Sequence, residues 1–206
     1  MKIRLPEKVS AIIRELKNAG YDAYAVGGCV RDSVLGRTPQ DWDITTSARP
    51  QQVKEVFGHT IDTGIQHGTV TVMLEHEGFE VTTYRIDGEY EDARHPKNVE
   101  FTSELREDLK RRDFTINAMA YNDEDGLVDA FDGLEDIRRG VIRCVGNPED
   151  RFTEDALRML RAVRFAAQLG FGIEENTRKA IVKLAPNLKR ISAERIQAEL
   201  VKLLVS

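Results

Sequence analysis

The chain has 206 residues, 41% hydrophobic and 32% charged, with a net charge of −5. That length suits one domain of ordinary size, or one plus a small second unit, and the balance is that of a soluble globular protein. There is no run of about 18 apolar residues to span a membrane and no signal-peptide core after Met1, and the two cysteines, Cys29 and Cys144, lie outside any C-x-x-C. These features point to a reducing, cytoplasmic setting with no zinc site.

The charge is unevenly spread. Residues 151–206 carry a balance of +5 and residues 1–150 one of −10. A basic part facing a polyanion and an acidic part holding metal would give this split, and so would two solvated surfaces of opposite bias. His59, His67, His76 and His95 show no ligand spacing and receive no role.

In chain order, Pro6 to Ala19 reads as a helix, with Val9, Ile12, Ile13 and Leu16 at helical spacing and Gly20 as its stop. Tyr21 to Val26 reads as a strand running into Gly27-Gly28, then a short helical turn through Arg31-Asp32 to Gly36. The glycines let backbone N–H groups approach a phosphate closely, and Arg31 offers a fork matched to phosphate oxygens. Asp41-Trp42-Asp43-Ile44 reads as a short strand. Residues two apart on a strand share a face, so Asp41 and Asp43 would project together, their Cα atoms about 6.5 Å apart. Mg²⁺ binds through one or two carboxylates plus substrate phosphates. Either motif alone is commonplace, the pair at this spacing much less so.

Pro50 starts a further helix. Residues 68–74 and 79–85 form a hairpin turning at His76-Glu77-Gly78. Glu80 is a candidate third acid beside Asp41 and Asp43, and equally an ordinary exposed strand carboxylate. Residues 86–100 are polar without an apolar period and read as a long loop. Ser103 to Arg111 is a short helix with Ser103 as candidate N-cap, followed by Arg111-Arg112-Asp113-Phe114-Thr115-Ile116-Asn117-Ala118. Short strand signals, the Asp132-Gly133 turn and a short helix fill 127–145, and Gly146-Asn147-Pro148 is a candidate boundary.

Beyond it the chain reads as helical: one helix from Thr153 as N-cap to Gly170, a second over 174–184, a third from Ser192. On the first, Ala156, Leu160, Val163 and Ala167 share one face. Asp155, Arg158 and Arg161 are neighbours on the other, with Arg164 at its edge. A solvated acid–base face is the ordinary explanation. The chemical alternative is sharper. Cytosine and adenine each present an amine donor beside a ring-nitrogen acceptor on their pairing edge; uracil and guanine present the reverse. A carboxylate beside a guanidinium suits the first pair and mismatches the second, at about 1–3 kcal/mol per buried group left unpaired.

Together, G-G-x-x-R-D and D-W-D-I resemble the nucleotidyltransferase signature of the tRNA CCA-adding enzymes of bacteria and eukaryotes and of the bacterial poly(A) polymerases. R-R-D-F-T-x-N-A, E-D-x-x-R and the following R-x-x-R-F follow in that family's order. The resemblance implies an α+β fold: a nucleotidyltransferase head with a small mixed sheet flanked by helices over 1–146, then an all-helical neck over 147–206. Members normally continue into body and tail domains, so these residues would be a head-and-neck portion.

The resemblance also implies that Asp41 and Asp43 are the catalytic, Mg²⁺-holding pair, and that Gly28, Arg31 and Arg112 bind the nucleotide's phosphates and sugar. Asp113 and Asn117 would orient Arg112 or touch the ribose. Asp155 and Arg158 would read the base, and Arg161 and Arg164 would help hold the nucleotide. The loop at 86–100 is associated in the family with the switch from adding C to adding A. The implied activity is template-independent addition of C and A to the tRNA 3′ end from CTP and ATP, with two metal ions about 3.5–4 Å apart. Neither membrane nor zinc is expected as a partner. The alternatives are a poly(A) polymerase or A-adding enzyme, and a non-catalytic nucleotide- or RNA-binding module.

Overall fold

The computed structural model describes residues 1–88 and 99–205. Packing divides them into two units. The first comprises residues 1–86, Val99–Arg111 and Asn117–Ala130; the second comprises residues 87–88, Arg112–Ile116 and residues 131–205.

The first unit is built on a mixed sheet. Helix α1 (Glu7–Asn18) buries Val9, Ile12, Ile13 and Leu16, the stripe the spacing predicts, and packs on strand β1 (Ala23–Val26). After β1 come α2 (Gly28–Val34), β2 (Ile44–Thr46) and α3 (Pro50–Val56). The strands β3 (Thr60–Gly64), β4 (Thr69–Leu74) and β5 (Glu77–Thr83) form a meander. Beyond it lie β6 (Arg85–Asp87), β7 (Val99–Phe101), α4 (Leu105–Lys110), β8 (Met119–Asn122) and β9 (Gly126–Asp129).

Seven of these strands make one sheet in the order β3-β4-β5-β2-β1-β8-β9, and β6 pairs with β7 separately. Within the large sheet β2 and β5 run parallel while the other pairs run antiparallel. The central strands β1, β2 and β8 are buried at every position. The buried threonine hydroxyls of β2 and of its neighbour β5 are satisfied. Thr46 Oγ1 donates to the Asp22 carbonyl (2.6 Å), Thr83 Oγ1 to the Ala48 carbonyl (2.7 Å) and Thr45 Oγ1 to the Asp108 carboxylate (3.1 Å).

Local expectations change at the hairpin turn, at the cap of α4 and at the ends of the 86–100 segment. The hairpin turns one residue earlier, at Glu75-His76, both with positive φ (48° and 68°). This two-residue connection matches the twist of the flanking strands, so Glu77 and Gly78 join β5. Strand β3 lacks the apolar alternation that would announce it; it is carried by its ladder to β4. Ser103 does not cap α4; Glu104 holds that position, and its N–H bonds Thr102 Oγ1 at 3.1 Å. Of the expected loop at 86–100, the ends are β6 and β7, and residues 89–98 lie outside the described residues.

The second unit gathers helices around a small apolar core. Residues 112–116 run antiparallel to 143–145: the Thr115 N–H bonds the Arg143 carbonyl (2.9 Å) and the Val145 N–H the Asp113 carbonyl (3.1 Å). Next come α5 (Gly133–Arg139), β10 (Val141–Ile142), α6 (Pro148–Glu154), α7 (Leu157–Leu169), β11 (Gly172–Ile173), α8 (Glu175–Leu184) and α9 (Ala193–Leu204). Strands β10 and β11 pair in parallel. Phe114, Phe152, Met159, Ala162 and Phe165 lie in one core cluster, with the Phe114 and Phe165 rings edge to face at 5.9 Å.

The single helix expected from Thr153 is two. Asn147 caps α6, its side chain accepting the Glu149 N–H at 3.0 Å with Pro148 at the first turn, and the helix stops at Glu154. Asp155 is extended (φ −144°, ψ 104°). Its carboxylate accepts the Leu157 N–H at 3.0 Å, satisfying one of the open donors where α7 begins. The buried face of α7 carries Leu157, Met159, Ala162 and Phe165, while Val163 and Ala167 are exposed. Gly170, left-handed at φ 70°, ends α7 as expected.

Candidate functional site

In the first unit the site grows from the end of β1. Gly27 stands at φ 84°, ψ −130°, a conformation essentially restricted to glycine. Its N–H bonds the Met119 carbonyl of β8 (3.1 Å) and its own carbonyl receives the Arg31 N–H (3.1 Å). The turn is thus fastened to the sheet on one side and to α2 on the other, and Gly28 opens α2. A Cβ on Gly28 would lie 3.8 Å from Arg31 Nη2, so the guanidinium rests against the helix's first residue.

Arg31 is buried and oriented. Its Nε donates to Asp32 Oδ1 (2.9 Å), and its Nη1 donates to Asn117 Oδ1 (2.7 Å). Asn117 therefore orients Arg31.

Asp41 and Asp43 lie in the segment entering β2, which starts at Ile44. Both are exposed. The Asp43 carbonyl still accepts the Val26 N–H (3.0 Å), continuing the ladder in which Ala25 faces Ile44. Asp43 is thereby set beside the glycine turn. Its charge reaches Cys29, whose thiol is pushed up to about 11, chiefly by burial and in part by the Asp43 carboxylate. Cys144, in the second unit, is pushed up to about 12, again mainly by burial. Both thiols are inert at neutral pH.

The register of β2 on β5, extended one residue, sets Glu80 across from Asp43. Among the described residues, however, no three His, Cys, Asp or Glu side chains stand close enough to hold a metal ion together. Two exposed carboxylates one residue apart are the donor set for a hard cation that completes its shell with phosphate oxygens and water. Such oxygen donors suit a hard divalent cation better than a softer metal.

In the second unit Arg112 is half-buried, in the turn ahead of the 113–116 segment. Asp113 is committed to Arg161, taking its Nε (2.8 Å) and Nη2 (2.7 Å). That carboxylate holds the Arg161 guanidinium pKa above its ordinary value. Arg164 is buried, donating to Glu199 (2.6 Å) and Gln168 (2.7 Å) with its guanidinium 4.1 Å over the Phe165 ring. Arg158 donates to Glu154 and to the Arg151 carbonyl (3.1 Å).

Asp155 precedes α7 and so does not lie on its face, although the Arg158 N–H bonds the Asp155 carbonyl (3.1 Å). Its carboxylate is gripped from α9 instead: Arg195 Nη2 reaches Oδ2 at 2.8 Å and Nη1 reaches Oδ1 at 3.4 Å. Neither Arg195 nor Glu199 stood out in the sequence. Their spacing of four on a helix is that of an ordinary surface ion pair, and only the packing of α7 against α9 turns them inward.

Comparison with known proteins places these motifs. Residues 23–143 match the family model for the poly A polymerase head domain. Residues 170–206 match that for a probable RNA and SrmB-binding site of polymerase A. A CCA-adding enzyme of Leuconostoc mesenteroides is 55% identical over 209 residues, covering 100% of this chain and 52% of the relative. One of Lactobacillus delbrueckii is 56% identical, covering 93% of this chain and 48% of the relative. The chain thus spans about half the length of the curated relatives it matches. The Bacillus stearothermophilus CCA-adding enzyme in complex with CTP superposes with TM-score 0.88 at 50% identity, over 98% of this chain and 49% of that one. The Thermotoga maritima CCA-adding enzyme complexed with tRNA superposes at 0.79 and 28% identity, over 99% and 51%.

Proposed function

The chain belongs to the family of CCA-adding enzymes and bacterial poly(A) polymerases, and from that premise we propose that it carries template-independent addition of C and A to the 3′ end of tRNA, drawing on CTP and ATP. The observation that carries this reading is the Asp43-to-Val26 ladder bond, which sets the carboxylate segment beside the Gly27-Gly28 turn and the oriented Arg31. The names of the relatives favour CCA addition over A addition alone. We assign residues 1–146 to the catalytic head, 147–206 to the neck, and the reaction to the cytoplasm.

The family depends on a divalent metal; the oxygen donor set makes Mg²⁺ our choice, held by Asp41 and Asp43. When bound, the metal favours ionisation of the tRNA 3′-hydroxyl and offsets charge on the triphosphate. The 3′ oxygen then bonds the α-phosphorus, the α–β phosphoanhydride breaks, pyrophosphate leaves, and the hydroxyl proton passes to solvent. Gly28 gives the triphosphate close access to backbone, Arg31 and Arg112 bind phosphate and sugar, and Asp155 with Arg158 accepts from and donates to the pairing edge of C or A. Arg161 and Arg164 help hold the nucleotide.

Incubating the purified protein with Mg²⁺, a tRNA-acceptor minihelix lacking CCA, and CTP or ATP tests the reading. We expect C incorporation with CTP alone. Asp41→Ala should retain the fold and lose activity by a factor of at least about 10³, the scale of an electrostatic contribution made at the reacting atoms. Incorporation of A only would make the protein a poly(A) or A-adding enzyme. Robust transfer by Asp41→Ala would remove the metal role.

A further inference from the structure

Recognition of a base by Asp155 demands a carboxylate of fixed aim, yet Asp155 sits in no regular element. It is the one extended residue between the end of α6 and Ala156, which leads into α7. A carboxylate there has free rotamers unless something outside the local backbone holds it. Two groups do. The Leu157 N–H binds Oδ1 (3.0 Å), and the Arg195 fork spans both oxygens (2.8 and 3.4 Å) across 40 residues of sequence.

Resting on that reading of Asp155, we propose that Arg195 is a positioning residue for nucleotide choice: from α9 it fixes the carboxylate's plane so that its remaining lone pairs line up with the exocyclic amine of C or A while a neighbouring donor meets the ring nitrogen. The purchase of Arg195 is itself firm. One helical turn further along α9, Glu199 accepts from Arg164 Nε (2.6 Å) and lies 3.7 Å from Arg161 Nη1, and Glu199 is buried. A single turn of α9 therefore grips α7 through Glu199 and Asp155 through Arg195. Arg158 Nη1 is engaged on another side, donating to Glu154 and to the Arg151 carbonyl (3.1 Å).

The geometry calls for arginine. A planar fork holds two carboxylate oxygens at once and so fixes a plane, whereas an ammonium holds a point. Charge alone is not enough for selectivity, because a carboxylate that swings loses the alignment on which donor–acceptor discrimination rests.

Equilibrium binding of CTP, ATP, UTP and GTP to the purified protein, with Arg195→Lys, Arg195→Met, Asp155→Asn and the Asp155→Asn/Arg195→Met double variant, tests this. Thermal melts identify variants that fold. The expected result is that Arg195→Met narrows the CTP-to-UTP affinity ratio by about tenfold or more, the scale of one mismatched polar contact. Arg195→Lys should recover the melt but only part of the ratio, and the double variant should be no worse than Asp155→Asn alone. If Arg195→Met does not fold, Arg195→Lys carries the test.

Proportional weakening of all four nucleotides, or an unchanged ratio in a folded Arg195 variant while Asp155→Asn narrows it, overturns the role of Arg195 and leaves base reading intact. An unchanged ratio in folded Asp155→Asn overturns base reading itself.

Discussion

Two adjacent glycines carry different constraints. Gly27 has a backbone conformation that a side chain resists, whereas the space around a Cβ on Gly28 is ordinary contact. Gly27→Ala should therefore lower stability by about 1–3 kcal/mol. Gly28→Ala should leave the denaturant midpoint near the wild type and weaken CTP binding where backbone and triphosphate approach. Unfolding curves and CTP titrations on both variants separate the two roles. A different kind of residue-scale constraint appears at Tyr84. It is 0% exposed, and no partner for its hydroxyl lies within reach among the described residues. Burial pushes its pKa upward. Tyr84→Phe removes a desolvated polar atom with almost no change in shape, so stability should be unchanged or rise by roughly 1 kcal/mol. A clear drop in the midpoint would mean that the hydroxyl has a use.

At the scale of elements, the turn joining β8 to β9 is tied to α1 and β1 through one carboxylate. Asp125 accepts from Asn122 Nδ2 (2.8 Å), Lys17 Nζ (3.1 Å) and the Tyr24 hydroxyl (2.9 Å). The Asn122 bond leads the influences that lower its pKa. A carboxyl whose folded pKa lies below its unfolded value of about 3.9 binds more protons when unfolded. Its contribution is thus full above that value and fades as the pH falls through the folded one. Asp125→Asn should flatten the acid limb of the stability curve below about pH 4 and leave the neutral limb's slope unchanged. Urea unfolding across pH 2–7 reads this out. An acid limb of unaltered steepness would assign the pH response to other carboxylates.

For the molecule as a whole, legibility in the sequence followed the range of the interaction. The stripe on α1, the proline that opens α3 and the glycine that ends α7 depend on neighbours within a turn or two, and each appears where the spacing predicts. The break at Asp155 was hidden because helical residues lie on both sides of it, and the cue that counted was Asn147-Pro148, six residues upstream of Thr153 at its start. The first-unit site was legible as motifs: the Gly27-Gly28 turn and Asp43 do come together. The partners that aim the charged groups were not. Asn117 on Arg31, Asp113 on Arg161 and Arg195 on Asp155 span 86, 48 and 40 residues. Such pairings are decided by how elements pack, and a helical wheel carries no information about them.

The bond between the Gly27 N–H and the Met119 carbonyl also sets an order in time. A ribosome delivers the glycine turn roughly ninety residues before the strand that braces it, a wait on the order of 5–20 s at about 5–20 residues per second. Until β8 emerges, β1 has an open flank and the glycine turn has no wall behind it. The nascent chain therefore passes through a stage with a complete carboxylate motif and an unfinished cradle, exposed to edge-to-edge pairing with whatever strand comes near.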